Sequence, residues 1–121
     1  MSEPDSHPFF DLHTHGFVRV ATSTPRVRTA DVAFNTAAIL DEARRAHDQR
    51  VDLVLYPELC VSSYAIDDLH LQTALLDAVE AAIGEIAAAS ASFNPILVIG
   101  APLRRNGRVY NCALAIAGGR L

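Results

Sequence analysis

The sequence predicts a layered α/β domain built from short βα units. Short apolar runs, typical of buried strands, alternate with longer stretches in which apolar residues recur every three or four positions, typical of amphipathic helices. Asn106-Gly107 stands before a late apolar run and is a strong hairpin signal. The predicted order is therefore strand, helix, strand, helix, strand, hairpin and strand.

Length and composition limit the class of protein. The 121 residues suffice for one small domain, and with half of them hydrophobic and 20% charged the chain is globular. A net charge of −4 argues against nucleic-acid binding, which needs a basic face. No apolar run reaches the roughly 18 residues of a membrane span, so we expect no membrane partner. Two cysteines are too few for a disulfide framework, which favours a cytoplasmic setting.

The first part of the chain predicts an arm, a strand and a helix. Residues 1–14 are polar and proline-containing and are expected to form a flexible N-terminal arm. Residues 16–21 alternate apolar and polar side chains, as a strand does. Residues 33–49 have helical periodicity, and Asp41 and Arg45 stand four apart, at the spacing of a favourable pair on one helix face.

The later part of the chain predicts three strands and a second helix. Residues 51–56 are apolar on both faces after their second position, as expected of a strand covered on both sides. Residues 61–68 lack a period and are expected to form a loop, and residues 69–90 carry a wide apolar stripe typical of a helix. Residues 95–102 and 109–117 predict the last two strands.

The end of the chain predicts a further turn. Gly118-Gly119 is a turn signal that would lead into another strand. We therefore expect this chain to be the first part of a larger protein, with a frayed tail as the alternative.

Glu58 is the first candidate for chemistry. It follows an almost wholly apolar strand in the segment Tyr56-Pro57-Glu58-Leu59-Cys60. Ligands and catalytic groups collect at the C-terminal ends of strands in open α/β sheets. The alternative is that Glu58 only caps a turn or meets solvent.

A pair of histidines raises the question of a metal site. His13 and His15 have a spacing that would place two imidazoles on one face of a strand. The residues before them do not form an apolar strand, and His47 and His70 lie in or beside helical stretches. A solvated arm is the favoured interpretation, and we expect no metal.

The remaining candidates are weaker. Cys60 and Cys112 are expected to be small buried hydrophobes, since no Lys occurs in the chain to favour a thiolate near Glu58. The hydroxyl of Tyr64 is a candidate substrate contact, although its ring would also serve to cover the mouth of the sheet. Asn111 is expected to tie a loop down through side-chain hydrogen bonds.

Five segments together resemble the nitrilase (carbon–nitrogen hydrolase) superfamily. The resemblance covers residues 15–121 in order and spacing and is carried by the segments GFVRVA (16–21), YPELC (56–60), YAIDDL (64–69), VIGAP (98–102) and YNCA (110–113). Within that superfamily, residues 59–79 resemble the N-terminal glutaminase domains of bacterial glutamine-dependent NAD synthetases. One departure is Ser63, where the family usually has a glycine.

The resemblance implies a four-layer α-β-β-α sandwich of which residues 15–121 form the N-terminal part. It also implies a Glu-Lys-Cys triad in which Glu58 is the general base. The matching Lys and nucleophilic Cys lie beyond residue 121, and neither Cys60 nor Cys112 matches the nucleophile. The isolated segment is therefore expected to be inactive.

The resemblance further implies the substrates and partners. L-glutamine would be hydrolysed, and the ammonia would pass to a synthetase domain that amidates deamido-NAD with ATP and Mg²⁺, outside this chain. Family members assemble as homo-oligomers, and the chain itself would hold no cofactor. Two alternatives stay open: a free-standing amidase, and a non-catalytic α/β interaction module in which Glu58 is structural.

Overall fold

The computed structural model describes residues 7–121, which form one four-stranded sheet and two α-helices in the predicted order. The strands are β1 (Val20–Thr22), β2 (Leu53–Leu55), β3 (Ile96–Arg105) and β4 (Arg108–Ile116), and the helices are α1 (Val32–Asp48) and α2 (Thr73–Ser90). Three 3₁₀ helices cover Pro8–Phe10, Leu12–His15 and Asp67–Leu71. No helix within residues 7–121 is long and apolar enough to cross a membrane.

The strands lie side by side in the order of the chain. The sheet order is β1-β2-β3-β4, with the first three strands parallel and β4 antiparallel to β3. Parallel neighbours need a crossover connection, and α1 and α2 supply the two crossovers. At the centre of the sheet, Val54 lies between Ala21 of β1 and Leu97 of β3.

One face of the sheet is covered by both helices. Side chains that alternate along the strands point into a single core shared with the helices. Members of this core are Val54, Leu97, Ile99, Leu114 and Ile116 of the sheet, Ile39 and Ala43 of α1, and Val79 and Ile86 of α2. Fully burying a valine, leucine or isoleucine side chain contributes about 1.5–3 kcal/mol, so this layer is a large source of stability.

The opposite face of the sheet is apolar and exposed. Val20, Leu55 and Ile96 keep 65%, 48% and 41% of their surface accessible. Val20 and Ile96 flank Leu53 in register, so they share one face. An apolar sheet face of this kind is suited to a second sheet, as in the expected sandwich.

Both glycine-containing turns have the geometry that the sequence predicts. Asn106 and Gly107 have φ of 51° and 74°, and they join the paired residues Arg105 and Arg108. Two positive φ values in a two-residue loop define a type I′ turn, which matches the twist of the flanking strands. Gly118 and Gly119, with φ of 56° and 81°, form a second tight turn.

The structure places the starts of β1 and α2 later in the chain than the sequence predicts. β1 begins only at Val20, where its pairing with Leu53 of β2 starts, and Gly16 instead ends a 3₁₀ helix in a left-handed conformation (φ 78°). α2 begins at Thr73, because Gln72 is extended and separates it from the 3₁₀ helix Asp67–Leu71.

The charge pairs on α1 have a different spacing from the predicted one. Asp41 accepts from Arg44 at 2.6 Å, and Glu42 accepts from Arg45 at 2.8 Å. Both pairs are three residues apart, so the predicted pair of Asp41 and Arg45 is wrong. These pairs are largely exposed and contribute little to stability.

Part of the predicted N-terminal arm has regular structure. Residues 1–6 lie outside the described residues, but residues 8–15 form two 3₁₀ helices held against the sheet. The His13 ring lies between two carboxylates, with Nε2 2.9 Å from both oxygens of Asp52 and Nδ1 3.2 Å from Asp11. Asp52 also accepts from the backbone N–H of Arg19 at 2.6 Å. His13 therefore connects the arm to the start of β2.

This contact predicts a pH-dependent stability. Hydrogen bonds to Asp52 and Asp11 raise the pKa of His13 above its ordinary 6.5. Backbone N–H donation from Arg19 and the His13 contact lower the pKa of Asp52 below 3.8. The stabilisation is complete below pH 6.5, and it is lost as the pH rises through the raised pKa of His13. At the acidic end it is lost as Asp52 is protonated.

We expect His13→Gln to lower the melting temperature most near pH 5–6, and least above pH 8, in melting curves monitored by circular dichroism. His15→Gln is the matched control, because the His15 ring lies 2.8 Å from the Phe9 carbonyl and packs edge-on against the Phe9 ring, with no carboxylate contact among the described residues. An equal loss at both pH values would contradict the ion-pair interpretation.

Candidate active site

The end of β2 is held firmly where the segment carrying Glu58 begins. The backbone N–H of Tyr56 donates to Val98 at 2.9 Å, and its hydroxyl donates to the Ile39 carbonyl of α1 at 3.1 Å. Burial raises the pKa of Tyr56, which keeps the hydroxyl a neutral donor. These two hydrogen bonds therefore hold the end of β2 in place, and with it the start of the segment that carries Glu58.

The turn that carries Glu58 lies directly against β3 at Gly100. A Cβ atom added at Gly100 would be 2.4 Å from the backbone nitrogen of Leu59 and 2.7 Å from the carbonyl oxygen of Pro57. Side chains do not tolerate such distances, so only glycine admits the turn here. The N–H of Val61 donates to the Gly100 carbonyl at 3.3 Å and closes the contact.

Gly100 was not singled out from the sequence. A glycine within an otherwise apolar strand is the signal that could have found it, because such a glycine often marks close approach of another backbone.

Glu58 reaches across to β4. Its Oε1 atom accepts a hydrogen bond of 2.6 Å from Nδ2 of Asn111, which stands opposite Pro102 in the β3–β4 ladder. Both side chains are exposed in the described part of the chain. The expected loop-tying role of Asn111 is thus observed, and its partner is the candidate catalytic carboxylate.

Asn35 of α1 fixes the chain after the turn. Its side chain is only 1% exposed and donates to the Val61 carbonyl at 3.1 Å and the Arg28 carbonyl at 3.0 Å. Its Oδ1 atom accepts from the N–H of Arg28 at 2.7 Å. These bonds satisfy buried backbone groups and join two loops to the helix. No sequence pattern pointed to this role of Asn35.

Cys60 has the buried position that the sequence predicts. It is 2% exposed, and its thiol donates to the Gly100 carbonyl at 3.6 Å. Burial raises the pKa of the thiol, which disfavours the reactive thiolate. Cys112 is half-buried on β4, and its thiol donates to the Tyr110 carbonyl at 3.7 Å.

Ser63 occupies a backbone conformation that favours glycine. Its φ is +81°, in the left-handed region, and its N–H donates to the Leu59 carbonyl at 2.8 Å. An L-residue in this region costs about 1–2 kcal/mol. The departure from the family's glycine therefore falls at a position where the backbone requires a positive φ.

We expect Ser63→Gly to raise the free energy of unfolding by about 0.5–1 kcal/mol, because relief of this strain exceeds the added entropy of the unfolded chain. Urea denaturation measures the change. Ser62→Gly is the control, since Ser62 is buried, lacks a positive φ and contacts His70 through its hydroxyl at 3.4 Å. A stability gain in the control or a loss in Ser63→Gly would contradict the strain argument.

The other predicted site residues lie at different places. Tyr64 follows the turn and is 68% exposed. His13 and His15 contact an aspartate pair and a backbone carbonyl, respectively. Within residues 7–121, no group of three or more His, Cys, Asp or Glu side chains is arranged to hold a metal ion.

The arrangement offers one chemical group, which is an exposed carboxylate on a rigid support. One oxygen of Glu58 is held by Asn111, and the other is available to a proton. A carboxylate in this state is equipped to act as a general base.

Comparison with known proteins agrees with this geometry. The carbon–nitrogen hydrolase family profile matches residues 19–121. A glutamine-dependent NAD(+) synthetase from Mycobacterium bovis is 47% identical over 111 residues, which cover 92% of this chain and 16% of that protein. The chain thus spans about a sixth of the length of this relative.

Two solved structures have the same fold. A glutamine-dependent NAD(+) synthetase from Cytophaga hutchinsonii matches 85% of this chain and 17% of its own, with a TM-score of 0.79 and 27% identity. A nitrilase-superfamily amidase from Nesterenkonia matches 85% of this chain and 40% of its own, with a TM-score of 0.75 and 25% identity. The predicted nitrilase-like α/β fold is confirmed, and the chain belongs to the carbon–nitrogen hydrolase family.

Proposed function

We propose that this chain is the N-terminal part of the glutamine amidohydrolase domain of a glutamine-dependent NAD synthetase. The observation that carries the proposal is the Glu58 carboxylate, which stands on a turn seated against Gly100 and is bonded to Asn111 at 2.6 Å. The 47% identity to the M. bovis synthetase supports the choice of this enzyme within the family.

In the proposed reaction, Glu58 removes the proton of a cysteine thiol, and the thiolate attacks the side-chain carbonyl of glutamine. A lysine stabilises the oxyanion, the C–N bond breaks, and the amide nitrogen leaves as ammonia after taking the proton from Glu58. Glu58 then deprotonates water, which attacks the thioester; the C–S bond breaks, glutamate is released, and the cysteine sulfur takes back the proton from Glu58. The lysine and the nucleophilic cysteine belong to sequence beyond residue 121, so residues 1–121 alone are expected to be inactive.

The wider reaction extends the same proposal. The ammonia would amidate deamido-NAD in a synthetase part that binds ATP and Mg²⁺, outside this chain.

Tyr64, exposed next to the Glu58 turn, is proposed to contact glutamine. The full-length protein is proposed to be a cytoplasmic homo-oligomer. A second candidate is a free-standing amidase, favoured by the match to the Nesterenkonia enzyme.

Nitrogen-donor dependence of the full-length protein tests the proposal. We expect glutamate release from glutamine, and NAD formation from deamido-NAD and ATP with either glutamine or ammonium as the nitrogen donor. Hydrolysis of small amides without NAD formation would favour the amidase. Absence of both activities from a folded, full-length protein would favour a non-catalytic module.

A further inference from the structure

We propose that Asn111 is a positioning residue for Glu58, which fixes one carboxylate oxygen and leaves the other free to accept the thiol proton. The inference rests on the proposed function, because it assigns Asn111 a role in the chemistry of the same carboxylate.

The geometry first supports a fixed donor. Asn111 lies within β4, whose register with β3 is continuous from Arg108 to Ile116. Its Nδ2 atom is therefore placed by the sheet, whereas Glu58 stands on a turn between β2 and the following loop. Of the two partners, Asn111 belongs to the more rigid element and determines where the carboxylate rests.

The chemistry of the contact supports a specific effect. The donor–acceptor distance of 2.6 Å is short for an amide N–H, as expected when the acceptor is a carboxylate. An amide N–H donates to Oε1 but cannot take up a proton, so it does not compete with Glu58 as a base.

The packing of the turn against Gly100 explains why a single hydrogen-bond donor is enough to orient the Glu58 carboxylate. The backbone on both sides of Glu58 lies within contact distance of Gly100, so the turn has little freedom to translate. Rotation of the side chain is the freedom that remains, and the bond to Asn111 restricts it. The contact with Gly100 thus holds the backbone of the turn in place, and the bond from Asn111 orients the carboxylate.

The test compares Asn111→Leu and Asn111→Asp in the full-length protein. Both replacements are close in size to asparagine, and neither offers an amide donor to Glu58. We expect each to reduce kcat/KM for glutamine by about 10- to 100-fold, the effect of losing a hydrogen bond to a charged group. The loss should fall on kcat and leave the KM for glutamine within about twofold of wild type, because the Asn111 bond orients the base that acts in the chemical step.

Ammonium-supported NAD formation should stay within about twofold of wild type for both variants, because it does not use the glutaminase chemistry. Tyr110→Phe is the control, since it changes the adjacent β4 residue without touching the Glu58 contact. It should leave the kcat and the KM of glutamine hydrolysis unchanged.

Two results would overturn the inference while leaving the proposed function intact. One is wild-type glutamine hydrolysis in both Asn111 variants. The other is reduced hydrolysis that appears as a raised KM with unchanged kcat, together with a lowered melting temperature, which would indicate a purely structural role. If wild type does not hydrolyse glutamine, or if Glu58→Gln retains full activity, the proposed function fails, and this inference fails with it. Should Asn111→Leu not fold, the kcat and KM of the nearly isosteric Asn111→Asp decide the question alone.

Discussion

Glu58→Gln is expected to reduce glutamine hydrolysis by the full-length protein by about 10²- to 10⁴-fold, the range that general-base catalysis contributes. The replacement keeps the size of the side chain and an oxygen that can still accept from Asn111, but it removes the group that takes up a proton. Steady-state glutamate release measures the loss. Ammonium-supported NAD formation should persist, because it bypasses the base.

Glu85→Gln is the matched control for this variant. Glu85 is an exposed glutamate on α2, so the change removes the same charge from the surface without altering the turn. The control should retain wild-type hydrolysis. Full activity in Glu58→Gln, or equal losses in both variants, would contradict the role of Glu58 as the base.

Gly100→Ala is expected to displace the Glu58 turn and to reduce glutamine hydrolysis by about 10²-fold, the loss that a misplacement near 1 Å can cause. The new Cβ atom would lie 2.4 Å from the Leu59 nitrogen, which is backbone and can move only with the whole turn. Such overpacking should also lower the free energy of unfolding by roughly 1–3 kcal/mol. Urea denaturation and glutamate release measure the two effects.

Gly84→Ala is the control, because Gly84 lies within α2 and a Cβ atom there would meet nothing within 4 Å. This change should raise the free energy of unfolding by about 0.5–1 kcal/mol, since alanine is the better helix former. Wild-type stability and hydrolysis in Gly100→Ala would show that the turn is not seated on β3 as described.

Features set by neighbouring residues could be predicted from the sequence. The Asn106-Gly107 hairpin needs only two residues with positive φ, and the structure confirms it. The apolar period of α1 predicted residues 33–49, and the helix spans Val32–Asp48. The first strand was placed too early, because its limits depend on pairing with β2 rather than on its own alternation of side chains.

The candidate site was predicted only in part, because its contacts are long-range. The apolar strand before Glu58 placed this carboxylate at the end of β2. The partner Asn111 is 53 residues further along the chain, and only the β3–β4 register brings it near. The Gly100 contact depends in the same way on how the turn folds over β3. Neither pairing has a local signature strong enough to identify the partner.

A crystal structure of the full-length protein tests the central claim most directly, through the distance from Glu58 to the nearest cysteine sulfur outside residues 1–121. We predict that the Glu58 Oε2 atom lies within about 4 Å of that thiol, close enough to remove its proton, while Oε1 keeps its bond to Asn111. A Glu58 side chain that faces open solvent, or one that forms an ion pair with an arginine and has no thiol nearby, would contradict the assignment of this residue as the general base.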